Sequence, residues 1–217
     1  RESWADFSAG CVRFITGLGK KVLIANQLAV VADRAFGLDG GALSASFAWL
    51  GSLCYTMQIY YDFSGYSDMA IGLGRMFGFH FEENFNYPYI SKSVGEFWRR
   101  WHISLSTWFR DYVYIPLGGS RCSRGRNIFN LAVVWLLTGF WHGANWTFVL
   151  WGGWFLLLLL GEKFLWGNAL ERLPAPLRHL STMLAVILSW VLFRAPDLSA
   201  AFSYLAAMFG LGAGARD

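Results

Sequence analysis

The chain predicts an all-α fold, a polytopic membrane helical bundle with interfacial amphipathic helices. Three observations lead there. Only 15% of the 217 residues are charged, whereas a soluble domain carries about 25%. Hydrophobic residues make up 55%, and the mean hydropathy is +0.37. Twelve Trp, nineteen Phe and nine Tyr supply the amphipathic rings that gather at membrane–water interfaces. Long linkers, low-complexity tracts and internal repeats are absent, so residues 1–217 read as a single membrane-embedded domain. The chain opens on Arg1-Glu2-Ser3-Trp4 without an initiator Met, an n-region or an h-region. It reads as part of something longer.

The elements follow in order. Residues 7–36 mix apolar side chains with Arg13, Lys20, Lys21, Asp33 and Arg34. Phe14, Leu18, Val22, Ala25 and Ala29 fall on one helical face, which predicts a tilted, partly interfacial helix rather than a clean span. Leu38-Asp39-Gly40-Gly41 breaks it. Residues 43–61 carry no charge and are long enough to cross about 30 Å of hydrocarbon. They run into Asp62-Phe63-Ser64-Gly65-Tyr66-Ser67-Asp68 and then the glycine-rich stretch 69–81. There, small residues at Gly65, Ala70, Gly72, Gly74 and Gly78 permit close helix approach in lipid. Residues 82–88 form a polar, aromatic turn.

Residues 91–126 hold Lys92, Arg99, Arg100, Arg110, Arg121, Arg124 and Arg126 against Glu96 and Asp111. That is too charged to span, and the positive-inside rule places it in the cytoplasm. Phe97, Trp101, Leu105, Trp108 and Tyr112 recur at three- and four-residue spacing, which predicts an amphipathic interfacial helix. Residues 127–146 form the next span. Residues 147–160 follow as the second arm of a hairpin bent near Gly143-Ala144-Asn145. Residues 177–193 are another span between Pro176 and Arg194, and 199–211 a short last helix.

The net charge of +4 is clustered, so it reads as topology and not as nucleic-acid binding. Cys11, Cys54 and Cys122 make no CxxC and no disulfide framework. Four scattered histidines without HxxH spacing do not make a metal site.

Two Trp-His pairs stand out. His142 lies in Phe140-Trp141-His142-Gly143, sixteen residues past Arg126, or about 24 Å of straight helix. An ionisable group at such depth is expensive and marks function by default. One reading is a histidine capping a span beside belt tryptophans; the other is a general base that deprotonates a hydroxyl. His102, in Trp101-His102-Ile103-Ser104, either hydrogen-bonds on the polar side of an interfacial helix or joins the same chemistry. His80 and His179 sit near segment ends and read as structural.

The motifs together are specific. They are Tyr61-Asp62-Phe63-Ser64-Gly65-Tyr66-Ser67-Asp68, Asn84-Phe85-Asn86-Tyr87-Pro88-Tyr89, Phe97-Trp98-Arg99-Arg100-Trp101-His102-Ile103-Ser104-Leu105-Ser106-Thr107-Trp108, Arg110-Asp111-Tyr112-Val113-Tyr114-Ile115-Pro116-Leu117-Gly118-Gly119 and Phe140-Trp141-His142-Gly143-Ala144-Asn145-Trp146. This pattern resembles the membrane-bound O-acyltransferase (MBOAT) family, nearest its alginate and peptidoglycan O-acetyltransferase branch. The segment 14–25 is also like that branch.

The resemblance implies that the chain is a C-terminal portion of a multi-pass protein about twice as long. His142 matches the family's catalytic histidine. His102 matches a second position filled by Asn, Asp or His in different branches. Arg99, Arg100, Trp101 and Arg110 become candidates for binding an anionic donor, while Asp62, Ser64, Tyr66, Asp68, Trp141 and Gly143 are motif residues with structural roles.

The implied reaction moves an acetyl group from a cytoplasmic thioester, such as acetyl-CoA, to hydroxyls of an exported, alginate-like polysaccharide. Transfer is direct or through an extracytoplasmic partner acyltransferase, in a bacterial inner membrane, with no bound cofactor or metal. The partners implied are membrane lipid and a polysaccharide acceptor. The alternatives are D-alanyl transfer to teichoic acid, a non-enzymatic transporter and a membrane scaffold.

Overall fold

A computed structural model describes residues 3–38 and 42–211. The helices are α1 (Trp4–Gly19), α2 (Asn26–Phe36), α3 (Ala45–Met76), α4 (Val94–Arg100), α5 (Ile103–Phe109), α6 (Arg124–His142), α7 (Trp146–Gly161), α8 (Gly167–Glu171), α9 (Ala175–Arg194) and α10 (Leu198–Met208). A π-helical turn at Lys20–Ala25 joins α1 to α2, and another at Glu162–Trp166 joins α7 to α8. Among the described residues no strand forms. Three stretches there are long and apolar enough to cross a membrane: Trp4–Phe36, Trp146–Glu171 and Ala175–Arg194. The protein is therefore an all-α membrane bundle. Asp39, Gly40 and Gly41, where the sequence predicts a break, lie outside the described residues.

The chain divides into two compact units. One takes the residues up to Phe85 together with those from Ala206 onward; the other is Asn86–Leu205.

In the first unit, α1 and α3 pack backbone against backbone. A Cβ on Gly10 would lie 2.6 Å from the Gly72 carbonyl oxygen, and one on Gly72 would lie 2.7 Å from that of Gly10. Gly17 and Gly65 repeat the arrangement at 2.5 and 2.7 Å. The pairing of 10 with 72 and 17 with 65 makes the helices antiparallel. Charges close the same seam. Asp68, buried, accepts Arg13 Nε and Lys20 Nζ at 2.6 Å each. Arg13 also grips Glu83 at 2.9 and 2.5 Å, and Lys21 pairs with Asp62.

These contacts decide which side chains the two helices bury. Of the stripe Phe14, Leu18, Val22, Ala25 and Ala29, only Ala25 is buried. Leu18 and Val22 are exposed, and the buried positions are Gly10, Gly17, Ala25, Ala32 and Ala35. Lipid tails are as apolar as leucine, so large side chains gain nothing by turning inward, and small ones let the helices touch. The stretch is also long and apolar enough for a span. α3 runs unbroken through Asp62–Asp68. Its two carboxylates are neutralised by Lys21, Lys20 and Arg13.

The second unit is built on rings. Phe97, Trp98, Trp101, Trp135, Trp151, Phe155, Trp190 and Phe193 form one cluster drawn from α4 and the turn after it, α6, α7 and α9. Trp98 stands edge-on to Phe155 at 4.8 Å and to Trp135 at 4.9 Å; Trp101 lies 5.1 Å from Trp190. The α6–α7 hairpin bends at Gly143–Asn145 as the sequence predicts. Asn145 caps α7 by accepting Thr147 N–H at 3.2 Å, and its amide donates to the Pro196 carbonyl at 2.8 Å. Gly139 lets the Phe148 carbonyl approach, and Gly152 does the same for that of Trp135.

The single amphipathic helix expected over 97–112 does not form. Two short helices, α4 and α5, replace it, broken at Trp101-His102. Phe97 and Trp101 join the aromatic core while Trp108 and Tyr112 stay exposed. The stripe mixed two faces because the chain turns between them. Beyond α5 a π turn (Arg110–Tyr114) leads to a loop tied to α6. Asn127 Nδ2 donates to Tyr114 Oη at 2.7 Å and to the Gly119 carbonyl at 2.9 Å, and Asn130 Nδ2 donates to the same carbonyl at 3.2 Å. Gly118 and Gly119, at φ 112° and 55°, take conformations that side chains disfavour.

Candidate active site

His142 is the last residue of α6, where the helix stops against Gly143. Its ring is held by other rings. Trp141 is 4.9 Å away, Trp151 5.0 Å and Phe193 5.1 Å, all near perpendicular, with Phe148 at 6.3 Å. Edge-to-face contacts of this kind fix an aromatic plane. Among the described residues no carboxylate lies in salt-bridge range of the ring. Gly143 is part of the fit: a Cβ there would strike the Phe148 ring at 2.7 Å.

His102 follows Trp101 between α4 and α5. Its backbone is left-handed, φ 47° and ψ 54°, and its carbonyl accepts Ser106 N–H at 3.1 Å to start α5. Such a conformation in a non-glycine residue costs on the order of 1–2 kcal/mol and is kept only where surroundings enforce it. Asn, Asp and His are the side chains that tolerate it best. Those are the three residue types that the resemblance assigns to this position.

The two histidines are forty residues apart in sequence, yet they meet at one indole. Trp141 lies 6.1 Å from the His102 ring, in addition to its contact with His142. Burial, and behind it the charge that a protonated His142 would carry, hold the His102 imidazole down at about 4. His102 is therefore neutral near pH 7, with one ring nitrogen able to donate and the other to accept.

The neighbouring motif residues have separate occupations. Arg100 pairs with Glu96 at 3.0 Å and donates to the Asn86 carbonyl at 3.1 Å, while Asn86 N–H donates to the Arg100 carbonyl at 2.9 Å. This ties the 86–90 segment to the turn that carries His102. Glu96 is held below the usual carboxylate range, first by the Lys92 N–H and then by Arg100. Arg110 is exposed and bound to Asp111 at 2.7 and 3.1 Å. Arg99 is exposed, and Trp101 is in the core. Asp62 and Asp68 form ion pairs in the first unit, Ser64 is buried there, and Tyr66 faces outward. His179 donates its Nδ1–H to the Ser91 carbonyl at 3.1 Å; His80 is exposed, 3.8 Å from Asp6.

One feature had no signal in the periodicity. Trp151 and Trp190 are buried, and among the described residues their indole N–H groups have no hydrogen-bond partner. A buried donor left unpaired costs about 1–3 kcal/mol. Trp151 also stands against His142, so an oxygen brought to that face of the imidazole finds a donor without other duties. Among the described residues no group of three or more His, Cys, Asp or Glu side chains could hold a metal.

A helical membrane protein with two imidazoles gathered in an aromatic seam is the class that fold and site define. The particular family follows from comparison with known proteins. The model of the membrane-bound O-acyltransferase family, MBOAT, matches residues 3–204, and the chain belongs to that family. It is 54% identical over 206 residues to the "Probable alginate O-acetylase AlgI" of Pseudomonas aeruginosa, covering 95% of this chain and 39% of that protein. It is 44% identical over 217 residues to the "Peptidoglycan O-acetyltransferase" of Helicobacter pylori, covering 96% and 40%. It is 32% identical over 145 residues to the "Teichoic acid D-alanyltransferase" of Bacillus subtilis, covering 63% and 36%. The chain thus spans about two fifths of the length of the O-acetyltransferases it matches.

Proposed function

We propose that the protein carrying this chain transfers an acetyl group from a cytoplasmic thioester, such as acetyl-CoA, to hydroxyls of an exported, alginate-like polysaccharide. The observation that carries the reading is the convergence of His102 and His142 on Trp141 inside an aromatic seam. Similarity to two O-acetyltransferases of bacterial polymers supports the acceptor class. The family match runs through both compact units, which supports treating them as parts of one membrane-embedded domain. The setting is the bacterial inner membrane, with the basic stretch 92–126 on the cytoplasmic side facing the donor.

The chemistry follows from the residues. Neutral His142 accepts the proton of the attacking hydroxyl as its oxygen bonds to the thioester carbonyl carbon. Negative charge develops on the carbonyl oxygen, where His102 donates a hydrogen bond and the Trp151 N–H is free to add another. When the C–S bond breaks, the thiolate leaves and takes the proton back from His142. Ring packing around the imidazole keeps water from the thioester, which it would otherwise hydrolyse. Arg99, exposed on α4, attracts the donor's phosphates. The acceptor is either the polysaccharide itself or an extracytoplasmic partner acyltransferase that finishes the transfer.

The test is His142→Ala in the full-length gene, read by mass spectrometry of O-acetyl esters on exopolysaccharide and peptidoglycan. Transfer should fall by about 10²-fold or more with protein levels unchanged; undiminished esters contradict the reading. The similarity to a D-alanyltransferase supports a second version, the same chemistry with a D-alanyl donor and teichoic acid as acceptor. Identifying the ester formed separates the two.

A further inference from the structure

The π-helical turn Glu162–Trp166 holds two adjacent residues of opposite charge that do not pair with each other. Glu162 turns to α4. Its carboxylate accepts Val94 N–H at 2.6 Å through one oxygen and Gly95 N–H at 2.9 Å through the other. Those are first-turn donors that a helix cannot satisfy internally. Ser93 takes the next, accepting Glu96 N–H at 3.0 Å. Lys163 turns to α6 and donates to Asn127 Oδ1 at 2.7 Å. Asn127 is the same buried residue whose amide gathers Tyr114 and the Gly119 carbonyl.

The two arms therefore reach the two elements that carry the histidines. α4 runs directly into Trp101-His102, and α6 is a rigid rod with His142 at its far end. Neighbouring residues on an ordinary helix diverge, and a π insertion adjusts that divergence; such bulges recur at functional sites. The turn is locked at both ends, because Gly161 seats the Trp166 ring and Gly167 seats the Glu162 carbonyl. An interfacial charge pair closing a span would leave its carboxylate in water. This one spends both oxygens on backbone N–H groups sixty-seven and sixty-eight residues earlier.

We propose that Glu162 and Lys163 are positioning residues: the turn is a two-armed strut that sets α4 against α6 and so sets His102 against His142. The proposal rests on the acyl-transfer reading of those histidines. Glu162→Gln keeps the shape but faces an N–H with its own NH2. Lys163→Met keeps the stem and loses the donor, and Lys163→Arg restores a donor.

The experiment uses the full-length protein in membranes with acetyl-CoA as donor, and measures kcat, donor KM and the thermal midpoint of each variant. Glu162→Gln and Lys163→Met should each lower kcat per folded molecule about ten-fold or more, with donor KM within about two-fold and recovery in Lys163→Arg. An unchanged kcat in folded variants overturns the strut. So does a loss that only tracks the folded fraction, or no recovery with arginine. Should His142→Ala abolish transfer while Glu162→Gln leaves kcat alone, the strut alone fails. Should His142→Ala itself retain transfer, the underlying reading fails first.

Discussion

In the first unit α1 and α3 touch through glycines, and in the second unit the helices are joined by stacked and crossed rings. The Gly10–Gly72 and Gly17–Gly65 contacts bring backbones together, and Asp68, Arg13 and Lys20 fasten them. The second unit instead interposes Phe97, Trp98, Trp151 and Trp190. The difference teaches what each arrangement can do. A glycine seam is tight and single-valued, which suits a frame. A seam of rings holds flat groups in defined planes, and it is there that both imidazoles lie. Catalysis by a general base needs that orientation more than it needs a neighbouring charge.

The contrast can be broken most forcefully at a glycine. Gly72→Leu drives a Cβ to 2.7 Å from the Gly10 carbonyl oxygen and the Phe14 nitrogen, and backbone cannot yield. A loss of about 3 kcal/mol is expected, read as a lower thermal midpoint or as protein that fails to accumulate. Normal stability would show that the seam is looser than its geometry.

Acid should separate the units next. In the unfolded chain His102 titrates near 6.5; in the fold its value is depressed to about 4. The neutral ring's contribution to stability is therefore fully present above pH 6.5 and is lost as pH falls from there toward 4. The wild-type protein should lose about 2 to 3 kcal/mol more than His102→Asn across that window. Parallel melting curves for the two would contradict the burial of the ring.

The smallest effect is expected at Trp151→Phe. The ring that abuts His142 remains and only the unpaired N–H is removed. A fall in kcat of about ten-fold, with unchanged stability, would assign that donor to the transition state. An unaltered kcat would leave Trp151 a packing residue.

Much of the second unit was legible beforehand. The hairpin at Gly143–Asn145 follows from glycine and asparagine chemistry, and the Trp-His pairs flag themselves by the cost of burying an imidazole. The first unit was less readable. Amphipathic periodicity points large apolar residues inward, and Leu18 and Val22 do the opposite because lipid is their solvent. The break at Trp101-His102 was hidden for another reason: a left-handed histidine has no compositional marker, since glycine usually fills that role. The convergence of His102 with His142, and the reach of Glu162 back to Val94, join residues far apart in sequence that no local pattern links.

The central claim is that the two imidazoles act as one unit. A double-mutant cycle on transfer from radiolabelled acetyl-CoA, with His102→Ala, His142→Ala and the pair, measures this directly. The account predicts that the double variant is about as slow as the slower single variant, as groups sharing one transition state behave. Losses that simply multiply would mean that the histidines work independently, and would contradict it.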